Sequence, residues 1–243
     1  MENEISKHTL KIIKSLTQKG TPWSKKIMEV FLEILIITFA VSLAQYLERQ
    51  RETNHRSSEE KAFLIGLKSD LKEDVASMEN DQLFYQSEMS SYLYLSNIGS
   101  KKNPEEDSIR FYSRNLRGTS WLRSNNARFE GLKSSGGLQV IENNKLLNEI
   151  LGLYEGTLSN LVVISNDYNV VKTQLLENYL DEHVVIDDNN RSNYSDVFKR
   201  PVTKNYFLRL RFYIPSILQA YDRAIKQSKL IIAQIDAQYA AGN

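Results

Sequence analysis

The chain has 243 residues, with 31 basic and 30 acidic side chains, 3 histidines and no cysteine. A near-neutral balance excludes a dedicated nucleic-acid binder, whose affinity would rest on excess cationic charge. The absence of thiols excludes disulfide frameworks, thiolate zinc sites and cysteine nucleophiles, and the scarcity of Gly and Pro beside abundant Leu, Ile, Glu, Lys, Gln and Ala is a helical composition.

In chain order, residues 1–25 read as an amphipathic basic tail. Ile5, Leu10, Ile13 and Leu16 oppose Lys7, Lys11 and Lys14, a pattern suited to lying on an anionic membrane surface. Residues 26–48 follow as a transmembrane helix. From Ile27 to Leu47 the only strongly polar side chains are Glu29, Glu33 and Gln45, and a helix of that length spans about 30 Å, the thickness of a bilayer core. Lys25, Lys26, Arg49 and Arg51 flank it, with Trp23 and Tyr46 at interfacial positions. Two other readings compete: a buried helix of a soluble domain, and a cleavable signal peptide suggested by Ser42-Leu-Ala44. Cations near the two ends are balanced, and the extra lysines of the tail place the N-terminus in the cytoplasm.

Glu33 is costly in lipid, on the order of 3 kcal/mol at the bilayer centre and less near an edge. It reads as an edge-proximal acid paired with Lys25 or Lys26, as a contact for a partner helix, or as a proton-carrying group of an ion-driven motor. Glu29 lies one turn earlier on the same face.

Residues 49–243 form the main, extracytoplasmic domain. Ser57-Ser-Glu-Glu60 is a possible capping box that restarts the helix. Phe63, Leu64, Leu67, Leu71, Val75 and Met78 make an amphipathic stripe, continued less cleanly by Leu83, Met89, Tyr92 and Leu95. After a loop at residues 97–104, residues 105–117 predict a short helix. Asn126 is placed to cap another over Ala127–Ser135, stopped by Gly136-Gly137 in left-handed geometry. A long run keeps near-heptad spacing through Leu147, Leu151, Tyr154, Leu158, Leu161, Ser165, Tyr168, Val171, Leu175 and Tyr179, ending near Glu182. A polar loop occupies residues 187–199. The last helix carries Leu210, Tyr213 or Ile214, Ile217, Tyr221, Ala224 and Ile231, and Pro215 either kinks it or marks a second start. The expected fold is all-α: one transmembrane helix continuing into an antiparallel up-and-down helical bundle.

No catalytic constellation emerges. Leu132-Lys-Ser-Ser-Gly-Gly137 lacks the glycine spacing of a phosphate loop or a serine-hydrolase elbow. Lys133, Ser134 and Ser135 therefore read as a helix stop with an exposed Ser pair, or as a partner contact. His8, His55 and His183 share no metal-ligand spacing, and residues 187–199 lack the Gly and Glu that a calcium loop needs. Arg110, Arg114 and Arg117, with Arg123, Phe111, Tyr112 and Trp121 nearby, form either a solvated face or a patch for an acidic partner. No cofactor, metal or small-molecule substrate is implied.

Three segments carry a resemblance: Glu33-Ile-Leu-Ile-Ile-Thr-Phe-Ala-Val-Ser-Leu-Ala-Gln45, Leu67-Lys-Ser-Asp-Leu-Lys-Glu-Asp74 and Phe129-Glu-Gly-Leu-Lys-Ser-Ser-Gly136. The chain resembles a group of single-pass membrane proteins of unknown function common in one phylum of Gram-negative bacteria, whose members typically read aromatic-Glu-small-Leu-Lys-Ser-Ser-Gly at the third segment. It departs from them in its longer N-terminal tail and in Leu32, where a Gly commonly precedes the Glu. The resemblance covers roughly residues 26–155 and implies an inner-membrane protein with a helical periplasmic domain and no enzymatic activity. The expected role is a scaffold or accessory subunit, touching membrane lipids and a protein partner or a second copy. An energy-coupling subunit using Glu33, or a sensor signalling through a partner, are the alternatives.

Overall fold

The computed structural model describes residues 23–101, 104–188 and 191–240. It is 87% helical with no strands among the described residues, as an all-α fold requires. One isolated antiparallel bridge joins Ile186 and Ser192. Residues 1–22 of the expected basic tail lie outside the described residues.

Helix α1 (Trp23–Ser96) runs 74 residues without a break. Its most apolar stretch is long enough to cross a membrane, and none of that stretch is buried in protein. The expected restart at Ser57 does not occur: Ser57 and Ser58 are exposed residues inside the helix, and Glu60 turns inward. Residues 48–59 are exposed on every side. A helix polar all round is supported by its own i,i+4 pairs, here His55 with Glu59 at 3.4 Å and Gln50 with Asn54.

The packed body begins at Glu60, and the order of its contacts defines four legs. The first is α1 beyond residue 60. Its inward face steps by three and four residues through Leu64, Leu67, Leu71, Asp74, Met78, Asp81, Tyr85, Glu88, Tyr92 and Leu95, the seam spacing of packed helices. The apolar members of this seam are buried, flanked by Phe63 and Val75. Leu83, expected on the stripe, is 63% exposed, and Met89 is only partly buried. The seam does not weaken there; carboxylates and tyrosines replace its aliphatics.

The second leg is irregular: α2 (Glu106–Ser113), a 3₁₀ turn (Arg114–Arg117), backbone without regular structure at 118–126, α3 (Ala127–Ser134) and a 3₁₀ turn (Gly137–Val140). It descends along α1, joining Asn115 to Ser87, Ser120 to Asp81, Asn125 to Asp74, Arg128 to Asp70 and Glu142 to Glu60. Arg128 crosses α1 over Gly66, where a Cβ would lie 2.3 Å from the guanidinium carbon, so a side chain there would push the guanidinium aside. Asn126 does not cap α3: its backbone is already helical, at φ −91° and ψ −3°, with no side-chain bond, whereas a capping residue sits in the extended region. The stop at Gly136 is as expected, with φ at +71°.

The third leg, residues 144–183, is one rod containing two π turns: α4 (Asn144–Leu151), Gly152–Leu158, α5 (Ser159–Lys172), Thr173–Glu177 and α6 (Asn178–His183). Asn143 caps it by accepting from the Lys145 and Leu146 N–H groups. Each π turn accommodates an extra residue and shifts the buried face. The core side chains before the first turn are therefore Leu146 and Ile150, with the expected Leu147 and Leu151 only partly buried, and from the second turn onward they are Leu176 and Leu180 instead of Leu175 and Tyr179.

The fourth leg is α8 (Pro201–Ala240), preceded by a short helix α7 (Tyr194–Phe198) where a polar loop was expected. It descends α1, with Gln82 bonded to Asp222, Lys229 to Glu79 and Lys68 to Asp236. It runs opposite to the third leg, where Gln227 bonds Thr157 and Gln234 bonds Glu149. Pro215 lies inside one continuous helix on an exposed position, and Ile214, not Tyr213, faces the core.

The seam assignment is testable. Leu67→Ala should lower stability by about 2–5 kcal/mol through lost burial and a residual cavity, whereas Leu83→Ala should change it by less than about 0.5 kcal/mol. Thermal unfolding of the two detergent-solubilised variants measures the difference; equal losses would contradict this packing.

Candidate functional site

Acidic residues on the inward face of α1 recur in one heptad register: Glu60, Asp74, Asp81 and Glu88, with Leu67 at the remaining position. Glu60, Asp74 and Asp81 bond the second leg, whose backbone between 118 and 126 makes no helix of its own, and Glu88 bonds the third. Buried backbone groups need partners, and these carboxylates supply acceptors. Glu60 takes the Glu142 N–H at 3.0 Å. Asp74 takes the Asn125 N–H at 2.8 Å and the Ser124 hydroxyl at 3.1 Å. Asp81 takes the Ser120 hydroxyl and the Tyr221 hydroxyl, the latter at 3.1 Å.

Glu88 at the end of this series makes the densest cluster. Its carboxylate accepts from Lys172 Nζ at 2.5 Å, Tyr168 at 2.8 Å and Tyr92 at 3.2 Å, and the two tyrosine oxygens lie 2.8 Å apart. Lys172 also donates to the Gly118 carbonyl, sits 3.9 Å from Glu177 Oε1, and lies 5.7 Å from the centre of the Phe84 ring. The Lys172 and Glu88 side chains have 0% exposure. Burial raises the Glu88 carboxyl above its ordinary value of 4.5, opposed by the Lys172 charge and by hydrogen bonds from Lys172, Tyr168 and Tyr92. Burial also holds the Tyr92 and Tyr168 hydroxyls protonated far above their usual range. The cluster therefore joins the first, second and third legs through one charge pair, and in this closed form no solute reaches it.

The residues singled out from the sequence lie elsewhere. Arg110, Arg114 and Arg117 are exposed; the helix tightens to 3₁₀ at Arg114, Arg110 pairs with Glu106 at 3.8 Å, and Arg117 pairs with Asp181 at 2.6 Å. Trp121 is exposed in the irregular stretch, its indole N–H donating to Thr119. Lys133 pairs with Glu155 beside the first π turn. Ser134 donates to the Glu130 and Gly131 carbonyls, and Ser135 to Leu132, so both hydroxyls close the end of α3. Phe129 of the same segment is buried and stacks on Tyr154 at 4.4 Å. Asp70 and Asp74 of the 67–74 segment hold Arg128, Ser124 and Asn125 just ahead of it, so the two soluble segments behind the family resemblance are neighbours. Glu29 is exposed and Glu33 partly buried on the apolar part of α1. Among the described residues, no group of three His, Asp or Glu side chains is placed to hold a metal ion. No protein-family model, curated protein or solved structure matches the chain.

Sequence reading missed Glu88 and Lys172. The signal was the in-phase recurrence of acids on an apolar stripe, where a solvated face would put them out of phase.

Removing one member of a buried pair costs more than the pair is worth. Lys172→Met should destabilise by about 3–5 kcal/mol at neutral pH, and adding Glu88→Gln should restore most of that loss. The pH dependence follows from the raised Glu88 value: the folded state holds this proton to higher pH than the unfolded chain, so the group's contribution falls as pH rises above 4.5. Without Lys172 the shift is larger, so the single variant's deficit should shrink on acidification. Denaturant titrations across pH check this; a deficit that grows toward acid would contradict it.

Proposed function

We propose that the chain is a single-pass inner-membrane protein, N-terminus in the cytoplasm, whose periplasmic helical bundle acts as a scaffold or accessory subunit through protein–protein contacts. The observation that supports this reading is the pairing of an apolar, wholly unburied helix with a body whose densest charge cluster is sealed from solvent. A helix that exposes that much apolar surface needs lipid or protein around it. The resemblance carried by residues 33–45, 67–74 and 129–136 favours the same location. Glu33, with Glu29 one turn before it, serves in this reading as a polar contact to a partner's membrane helix, since buried polar groups between helices associate.

The test is gentle detergent extraction from native membranes, pull-down through the C-terminal end, and mass spectrometry of what accompanies the chain. The expected result is sedimentation with membranes and a near-stoichiometric protein companion, weakened in a Glu33→Gln variant. Recovery of a lone monomer, or of the intact chain in a lipid-free supernatant, overturns the proposal.

A further inference from the structure

The exposed side of α8 carries an apolar patch. Phe212 is 85% exposed, Leu208 one turn before it is also exposed, and with Ile164 on α5 they line a groove of about 640 Å³ that includes Arg209, Tyr213 and Ser216. The charge around this groove is one-sided. Between Asp196 and Asp222 the chain carries Lys199, Arg200, Lys204, Arg209 and Arg211 and no acid. Lys204 and Arg209 are exposed on the same stripe as Leu208 and Phe212, and neither has an ion-pair partner among the described residues. The facing wall contributes one exposed acid, Asp167.

We infer that this groove docks an acidic amphipathic helix of a partner protein, its apolar ridge against Ile164, Leu208 and Phe212 and its carboxylates on Lys204 and Arg209. The inference rests on the scaffold reading and names the surface and the partner chemistry. Two helices side by side leave a furrow that accepts another helix through residues at three- and four-residue spacing. A projecting aromatic ring beside a cation is the composition of an interface anchor. A second copy is a poor occupant because a symmetric contact would bring Lys204 and Arg209 of both copies together, and like charges in an interface are costly. A bilayer is a poor occupant because the surface is a furrow between helices rather than a flat basic face.

The test places a photo-crosslinking phenylalanine analogue at position 212 of the full-length chain in native membranes, with the same analogue at exposed position 83 as the control. The support sought is a crosslink at 212 and not at 83, mapped by mass spectrometry to a helical segment with acids on one side and apolar residues at three- and four-residue spacing. Lys204→Glu combined with Arg209→Glu should reduce its yield at least about tenfold with the melting temperature unchanged. A crosslink to lipid, to a second copy or to a segment without acids overturns the inference, as does a yield at 212 no greater than at 83. If a partner still co-purifies in that case, the groove assignment falls while the scaffold reading stands; if nothing co-purifies, the scaffold reading itself fails.

Discussion

Backbone that is not helical must find its hydrogen-bond partners elsewhere, and here it finds them on two flanking legs. From α1, Asp74 takes the Asn125 N–H and Tyr85 donates to the Ser120 carbonyl; from α5, Lys172 and Asn169 donate to the Gly118 and Ser120 carbonyls. The second leg abandons helix from 118 to 126, and Glu60, Asp74, Asp81 and Glu88 turn one register of the α1 seam into acceptors or anchors for what lies across from it. A hydrogen bond to a charged group contributes about 1.5–3 kcal/mol, but burying the acceptor charge offsets much of that. The gain lies in position: each carboxylate admits one arrangement of the leg it faces. Lys172 completes the set, because it neutralises Glu88 and holds the Gly118 carbonyl at the start of the irregular stretch. The Lys172–Glu88 pair thereby fixes where three legs meet, which a purely aliphatic seam would leave free to slide.

The aliphatic half of the body is legible in the amino-acid order. Phe63 through Met78, the left-handed stop at Gly136, and the face from Leu210 to Ile231 are where three- and four-residue spacing places them. The other half is not, for two physical reasons. The acids at 74, 81 and 88 and the tyrosine at 85 look like surface until a partner leg is known to need hydrogen-bond partners there. The π turns break the spacing itself, so a heptad drawn through Leu147 and Leu175 misses Ile150, Lys172 and Leu176. Of the Arg110, Arg114 and Arg117 stripe, two members are held by ion pairs to different partners, which their spacing alone does not reveal. Among the site residues named from the sequence, Lys133, Ser134 and Ser135 prove to finish a helix beside Phe129, whose ring packs on Tyr154.

The interior and the surface of the body divide the charged residues between them. Inside, opposite charges are matched to hydrogen-bonding precision around Glu88. On the exposed side of α8, Lys204 and Arg209 stand beside an uncovered phenylalanine without ion-pair partners among the described residues.

The two π turns bracket α5, the helix that carries Tyr168 and Lys172. Losing a single residue from either turn would let ordinary helix run through, and one residue of helix is about 100° of rotation. The lysine would then swing off its carboxylate while every residue type in the neighbourhood stayed the same. Length between 152 and 177 is therefore as strict a requirement as chemistry, and homologues of this fold should tolerate insertions in the 187–193 loop far more readily than in the rod before it.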